Sequence, residues 1–195
     1  MKKLLKPSVR FVAHVLVFPL ALLAGFGRFE EAFVFGGQFL APFPGLIGSY
    51  LRVAYYKQTL EQVGSDCLIA VGSYFAHPEA SVGTNVGVGA YCVLGHADIG
   101  DRTRIAGGVQ ILSGANQHRR NAEGRVTDEG GIMRRLKIGS DCWIGASAII
   151  MADLGEEVTV AAGSVVFQDV QSGATVAGNP SRVVGSAKTA KANSL

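Results

Sequence analysis

A branched aliphatic residue followed by Gly or Ala recurs on a six-residue beat through the middle of this chain. The pairs are Val63-Gly64, Ile69-Ala70, Val82-Gly83, Val88-Gly89, Ile99-Gly100 and Ile105-Ala106, and after a gap Ile138-Gly139, Ile144-Gly145, Leu154-Gly155 and Val160-Ala161. An amphipathic helix repeats near 3.6 residues and a half-buried strand at two, so neither produces this spacing. It describes a chain that turns a corner every sixth residue and points one aliphatic inward per face, which is a parallel β-helix. Glycine, at 26 of 195 residues, is about twice its ordinary share of ~7 %, as a chain of frequent corners requires.

Four residues after each aliphatic, a slim side chain should also face the prism interior. Cys67, Cys92 and Cys142 occupy that slot after Val63, Val88 and Ile138, and Thr103, Ala148, Val158 and Ser164 occupy it elsewhere. The three cysteines therefore have a packing role. They match no zinc spacing, and unpaired thiols of this kind suit a reducing compartment. The register slips near Pro78, between Val88 and Ile99, and between Ile150 and Leu154, as it would where loops leave the prism. About fifteen hexads predict about five coils.

Residues 1–60 carry no hexads and are expected to form a separate apolar, helical segment. Lys2, Lys3, Lys6 and Arg10 precede the first acid, Glu30; Phe11 to Gly27 and Ala32 to Leu51 hold no charge. The first run is short for a span of ~20 residues, and Gly36, Gly37, Pro42, Pro44, Gly45 and Gly48 break the second. A secretion signal would need a better cleavage site than Ala24 to Gly27 offers. Two readings stand: helices that cap the open end of the β-helix, or a re-entrant or interfacial membrane contact anchored by the basic start. The prism domain should run over 61–185, and the polar tail 186–195 should be disordered. A net charge of +3 without a basic stripe between stacking aromatics argues against nucleic acid as a partner.

Residues 113–137 interrupt the hexads with the most polar stretch of the chain, holding His118, Arg119-Arg120 and Arg134-Arg135. Loops of this length inside a compact repeat are usually functional.

The string IGSDCWIGA from Ile138 to Ala146, VAAGSVV from Val160 to Val166 and AGNPSRVV from Ala177 to Val184 follow the His-bearing loop in order. Together they resemble the hexapeptide-repeat acyltransferases. The apolar start, with PGLIGSYLRVAYY from Pro44 to Tyr56, is most similar to the exopolysaccharide and colanic-acid-type O-acetyltransferases among them. The resemblance implies a left-handed parallel β-helix, a homotrimer with sites between subunits, and acetyl-CoA as donor with no metal. It implies His118 as general base, a role an imidazole suits, in direct transfer without an acyl-enzyme. Trp143, Ala146, Ala162, Gly163, Ser164, Gly178, Asn179 and Pro180 would line the cofactor groove, and Arg182 would meet a CoA phosphate. Phe167-Gln168 departs from the Thr or Lys often found there in the family. His96 is a candidate for acceptor binding, with His77 weaker; Asp98 or Asp101 could orient His118. The fold also carries γ-class carbonic anhydrases, but the histidines here lack the His-x4-His pair that zinc would need.

The expected function is O-acetylation of a sugar hydroxyl on a bacterial polysaccharide or its precursor, in the cytoplasm at the inner-membrane face. A family enzyme acting on a small soluble acceptor (serine, a free sugar or an antibiotic) and a non-catalytic β-helix scaffold are the alternatives.

Overall fold

The computed structural model describes residues 2–114, 117–127 and 131–186, with side chains from Ser8 onward. Three helices come first: α1 (Lys2–Leu23), α2 (Glu30–Leu40) and α3 (Gly45–Thr59), with a short 3-10 turn, Gly25–Gly27, between α1 and α2. From Gln62 the chain winds into a left-handed parallel β-helix of short strands.

Three parallel faces build the prism. The first carries Gln62–Val63, Ser81–Val82, Ala97–Ile99 and Leu136–Ile138, extended by single bridges at Leu154 and Val170. The second runs through Leu68–Ile69, Gly87–Val88, Arg104–Ile105, Trp143–Ile144, Thr159–Val160 and Ala174–Ala177. The third stacks Tyr74–Phe75, Val93–Leu94, Gln110–Ile111, Ile149–Ile150 and Val165–Val166. Aliphatics pair with aliphatics along each face, as in Val82↔Ile99 and Ile144↔Val160, and all of these are buried. There are about six turns, one more than the sequence spacing predicted. The steps Ile150 to Leu154 and Val166 to Val170 each turn a corner in four residues instead of six, so more turns fit the same length.

Two of the three corners are regular. Each first-to-second corner puts a residue in the left-handed region three positions after the aliphatic: Asp66, Asn85, Arg102, Asp141, Glu157 and Gly173. The second-to-third corner does the same at Gly72, Tyr91, Gly108, Ser147 and Gly163. The Gly after the aliphatic is set by the neighbouring turn. A Cβ at Gly139 would lie 2.4 Å from the Gly155 carbonyl oxygen, closer than atoms can pack.

The interior slot explains the cysteines. Cys67, Cys92 and Cys142 each donate a thiol hydrogen bond at 3.1 Å to a corner carbonyl one turn on, at Gly83, Ala106 and Gly155. Ser73 and Thr103 do the same with hydroxyls, to Gly89 and Gly139. Burial pushes all three thiols above their ordinary pKa, which makes them poor nucleophiles.

The helices seal the open end of the prism. Ser49 Oγ accepts from Ile69 N, Tyr56 Oη accepts from Phe75 N, and the Ala41 carbonyl accepts from Gly72 N. Arg52 is fully buried and donates to the carbonyls of Leu40, Ala41, Phe43 and Ile69, closing the end of α2 and tying it to the first turn. Burial lowers its pKa. At the far end the strand Arg182–Ser186 folds back antiparallel on Ala174–Ala177. Of the tail expected over 186–195, all but Ser186 lies outside the described residues.

Thr103→Val keeps the shape of the side chain but strands the Gly139 carbonyl and the Cys142 amide, which the hydroxyl bonds on either side, so it should destabilise by about 1–3 kcal/mol. A denaturant melt should show this, whereas Val158→Ala at the same kind of slot, also fully buried, removes no side-chain hydrogen bond and tests buried volume. Arg52→Leu abandons four carbonyls at once and should cost more than Thr103→Val in the same assay.

Candidate active site

Every irregularity of the beat falls on one corner, from the third face back to the first. It takes an extra residue between Phe75 and Val82, lacks one between Leu94 and Ile99, and releases the long loop between Ile111 and Ile138. Outside that loop, none of its described residues adopts the left-handed turn of the other two corners. Freed from that geometry, the corner collects the polar side chains.

The loop is rooted on His96. The His96 amide donates to Ser113 Oγ at 3.1 Å, and Leu136 N donates to the His96 carbonyl at 2.9 Å. The two strands of the arm then close on each other, with Arg134 N donating to the Ser113 carbonyl at 2.8 Å. At Gln117 the approach is so tight that a Cβ on Gly131 would sit 1.9 Å from its carbonyl oxygen. Beyond this point comes exposed His118, followed by an antiparallel hairpin, Arg119–Arg120 against Val126–Thr127.

Two consecutive arginines pin the returning strand. Arg135 donates to Asp98 at 2.6 and 3.0 Å and to Glu61 at 2.7 and 3.0 Å. Arg134 donates to Asp153 at 2.5 Å and to Asp169 at 3.3 Å. Asp98, Asp153 and Asp169 each precede a first-face aliphatic, so they share one position per turn on the prism edge, with Lys137 in that position on the turn between Asp98 and Asp153. Asp153 and Asp169 also accept backbone amides, from Lys137 and Asp153 respectively. Burial would raise the Asp98 pKa, but hydrogen bonds from Arg135 and Ser81 hold it below its ordinary value. The hydrogen bonds to Glu61 and Asp98 raise the Arg135 pKa in turn.

Above the loop root, the His77 and His96 rings meet at a tilt of 53° with centroids 4.3 Å apart. His77 Nδ1 meets Glu30 at 2.5 Å and His96 Nε2 meets Glu79 at 3.1 Å. Burial alone would raise the Glu79 pKa, but its own backbone amide and His96 hold it low. Asp98 is committed to Arg135 and Ser81. Asp101 sits on the first-to-second corner, where it accepts the Thr84 amide, and so lies on a different corner of its own chain from the root of the His118 arm.

The residues expected along the cofactor groove gather on the second-to-third corner instead. Ala146, Ala162 and Gly178 occupy it on successive turns, linked by Gly163 N to the Ala146 carbonyl and Val165 N to the Gly178 carbonyl. Trp143 is 61 % exposed on the adjoining second face, and a Cβ built at Gly163 would meet nothing within 4 Å. The corner is therefore open for a ligand to lie along. Asn179-Pro180, a cis peptide, turns the chain there, and Arg182 is exposed. Ser164 departs from the expectation: its side chain is fully buried and accepts the Gly178 amide, so it supports the corner from within. Within one chain the third face separates this groove from His96 and the root of the loop. Among the described residues no group of three His, Cys, Asp or Glu side chains could hold a metal ion.

The aligned acids and the arginine clamp escaped the sequence reading, although a signal was there: Asp98, Asp153 and Asp169 each stand immediately before Ile, Leu or Val in the face-starting position.

A prism of hexapeptide turns, broken at one corner by a histidine-bearing arm, is the architecture of an acyltransferase-type β-helix. Residues 135–168 match the family described as the hexapeptide repeat of succinyl-transferase. The bifunctional protein GlmU of Gloeobacter violaceus is 32 % identical over 135 residues, covering 67 % of this chain and 26 % of that protein. Serine acetyltransferase 2 of Arabidopsis thaliana is 34 % identical over 113 residues, covering 55 % and 31 %. The chain thus spans about a quarter to a third of the length of these relatives. Among solved structures, a maltose O-acetyltransferase from Clostridium difficile 630 shares the fold with a TM-score of 0.56 at 24 % identity, over 85 % of this chain and 88 % of that one. AntD, an N-acyltransferase from Bacillus cereus, matches with a TM-score of 0.51 at 16 % identity, over 70 % and 92 %. What these likenesses share, and what they support for this chain, is the hexapeptide repeat of the acyltransferases.

Because the Asp98 pKa is depressed, its contribution is fully present above the ordinary carboxylate value of ~3.9 and is lost as pH falls through its lower folded value. Melting temperature should fall across that acid window, and Asp98→Asn should flatten the dependence there while lowering stability at neutral pH.

Proposed function

We propose that the protein transfers an acetyl group from acetyl-CoA to a sugar hydroxyl of a bacterial polysaccharide or its precursor. The observation that carries this reading is the pairing of an arm bearing His118, held by the Arg134–Arg135 clamp, with an open edge of small residues at Ala146, Ala162, Gly163 and Gly178. Relatives and neighbours support it. AntD was solved with coenzyme A and a dTDP-linked amino sugar, and the maltose enzyme is an O-acetyltransferase by name.

In this reading His118 accepts the proton of the acceptor hydroxyl as its oxygen attacks the thioester carbonyl. The tetrahedral intermediate collapses with loss of the CoA thiolate, which recovers that proton from the imidazolium. No acyl-enzyme is formed. Trp143 and the small-residue corner hold the pantetheine arm, where backbone can approach closely, and Asn179 and Pro180 continue the groove. Arg182 meets a phosphate. His96, beside Glu79 at the loop root, faces the acceptor. A closed homotrimer would set the His118 edge of one subunit against the groove edge of the next, completing the site between chains. Use of acetyl-CoA places the reaction in the cytoplasm.

A small soluble acceptor such as serine, a free sugar or an antibiotic would use the same chemistry. A non-catalytic scaffold would not need the arm. His118→Ala should lower thiol release from acetyl-CoA with candidate glycans by about 10²- to 10⁴-fold, with CoA binding retained. Full activity in this variant would remove His118 as the base. Failure of the wild type both to bind CoA and to turn over any acceptor would favour the scaffold.

A further inference from the structure

The first helix is built inside out, and the second keeps Phe33 and Leu40 buried but leaves a row of large apolar groups facing outward. On α1 the residues facing the protein are small: Ala13, Val17, Ala21 and, just beyond the helix, Ala24, none more than 4 % exposed. Its outward face carries the large ones, with Phe11, Leu16, Phe18, Leu22 and Leu23 all 48–70 % exposed. On α2, Gly36 and Gly37 face inward so closely that Cβ atoms there would lie 2.4 and 2.6 Å from the Tyr55 and Tyr56 hydroxyl oxygens. Outward stand Phe35, Phe39 and then Phe43, with successive ring centroids 6.1 Å apart, followed by Leu46 and Ile47, 66 % and 74 % exposed.

A helix in water does the reverse, turning large apolar groups to the core and charge to solvent. Small residues between helices and large ones outside is the arrangement that lipid selects, because packing rather than burial from water drives helix association there.

We propose that the outward faces of α1 and α2, with the turn from Phe43 to Ile47, are embedded in the headgroup–acyl boundary of an anionic bilayer leaflet. No helix of the described residues is long and apolar enough to cross a membrane, so the contact is in-plane. A second copy of the chain is a poorer occupant. Protein interfaces need roughly one hydrogen bond per 100–200 Å², and the exposed residues of α1 from Phe11 to Leu23 include no polar side chain. Acyl chains ask for none. The leaflet's charge follows from the sequence: Lys2, Lys3 and Lys6 open the helix and no acid precedes Glu30, which suits anionic headgroups, while Arg10 is paired with Asp66 at 2.7 Å. That the leaflet is the cytoplasmic one rests on the acetyl-CoA reading above; the contact itself does not.

The test is co-flotation of the full chain with vesicles of phosphatidylethanolamine and phosphatidylglycerol, alongside vesicles of phosphatidylcholine. Binding is expected to both and stronger to the anionic set. The paired changes Leu16→Glu with Leu22→Glu, and Phe35→Ser with Phe39→Ser, should each lower the vesicle-bound fraction by about tenfold or more with the circular dichroism of the prism unchanged. As an independent reading, with Trp143→Phe in place so that the introduced residue is the sole tryptophan, fluorescence from Leu22→Trp should be quenched by brominated acyl chains and that from Tyr91→Trp, on the prism, should not. A wild-type chain that stays wholly out of vesicles would overturn the proposal. So would flotation indifferent to the paired changes, or paired variants that float normally but lose oligomer mass, which would assign the face to a second copy. Thiol release measured on the same proteins separates the two readings: flotation without any acyl transfer leaves the contact standing and defeats the transfer.

Discussion

The structure depends on one constraint, that each turn of the chain must hydrogen-bond to the turn before and after it. A strand of two residues has no stability alone; here it is held only because its amides and carbonyls meet those of the adjacent turn, as Gly89 N meets Ile105 O and Ala106 N meets Ile144 O. Corners must then superpose turn on turn. This is why Gly or Ala follows most of the aliphatics on the first two faces, and why Cys67, Ser73, Cys92, Thr103 and Cys142 in the interior slot each donate to the next corner's carbonyl. The three thiols belong to that ladder and are withdrawn from any reaction.

Superposition applies at two corners and is relaxed at the third. The relaxed corner takes steps of four, five or seven residues, or a whole loop, without disturbing the stack. It is therefore the place where the chain can leave the prism and return. Its acids, aligned because they share one position per turn, supply Arg134 and Arg135 with partners that a loop could not provide for itself. The arm carrying His118 is held at its root by the prism edge, which gives a loop residue a defined position.

Much of this was legible in the sequence. The beat gave the fold, the interior slot accounted for Cys92 and Cys142, and the slips near Pro78 and before Leu154 appeared as breaks in spacing. What spacing did not convey was that the slips share a corner, since that requires adding every step along the chain. The clamp was hidden for a different reason: Arg135 finds Glu61 and Asp98, 74 and 37 residues away in sequence. Arg52 was likewise invisible, because its four partners are backbone carbonyls that no residue type announces. The apolar start was plain from composition, yet whether Phe11 or Ala13 faced inward could be told only once α3 was in place beside it.

A β-helix has no natural end, since its last turn always offers a fresh row of amides and carbonyls, and such edges recruit other chains. In this molecule α3 covers the first edge with Ser49, Tyr56 and Arg52, while the strand Arg182–Ser186 folds back over the last turn of the second face. These two seals make the difference between a finite enzyme-sized particle and a seed for a fibre. Loss of the helices would uncover Phe75 and the amides of Ile69 and Phe75 on the first turn and expose a template for end-to-end growth, so the helical segment bears on the solubility of the prism as well as on its packing.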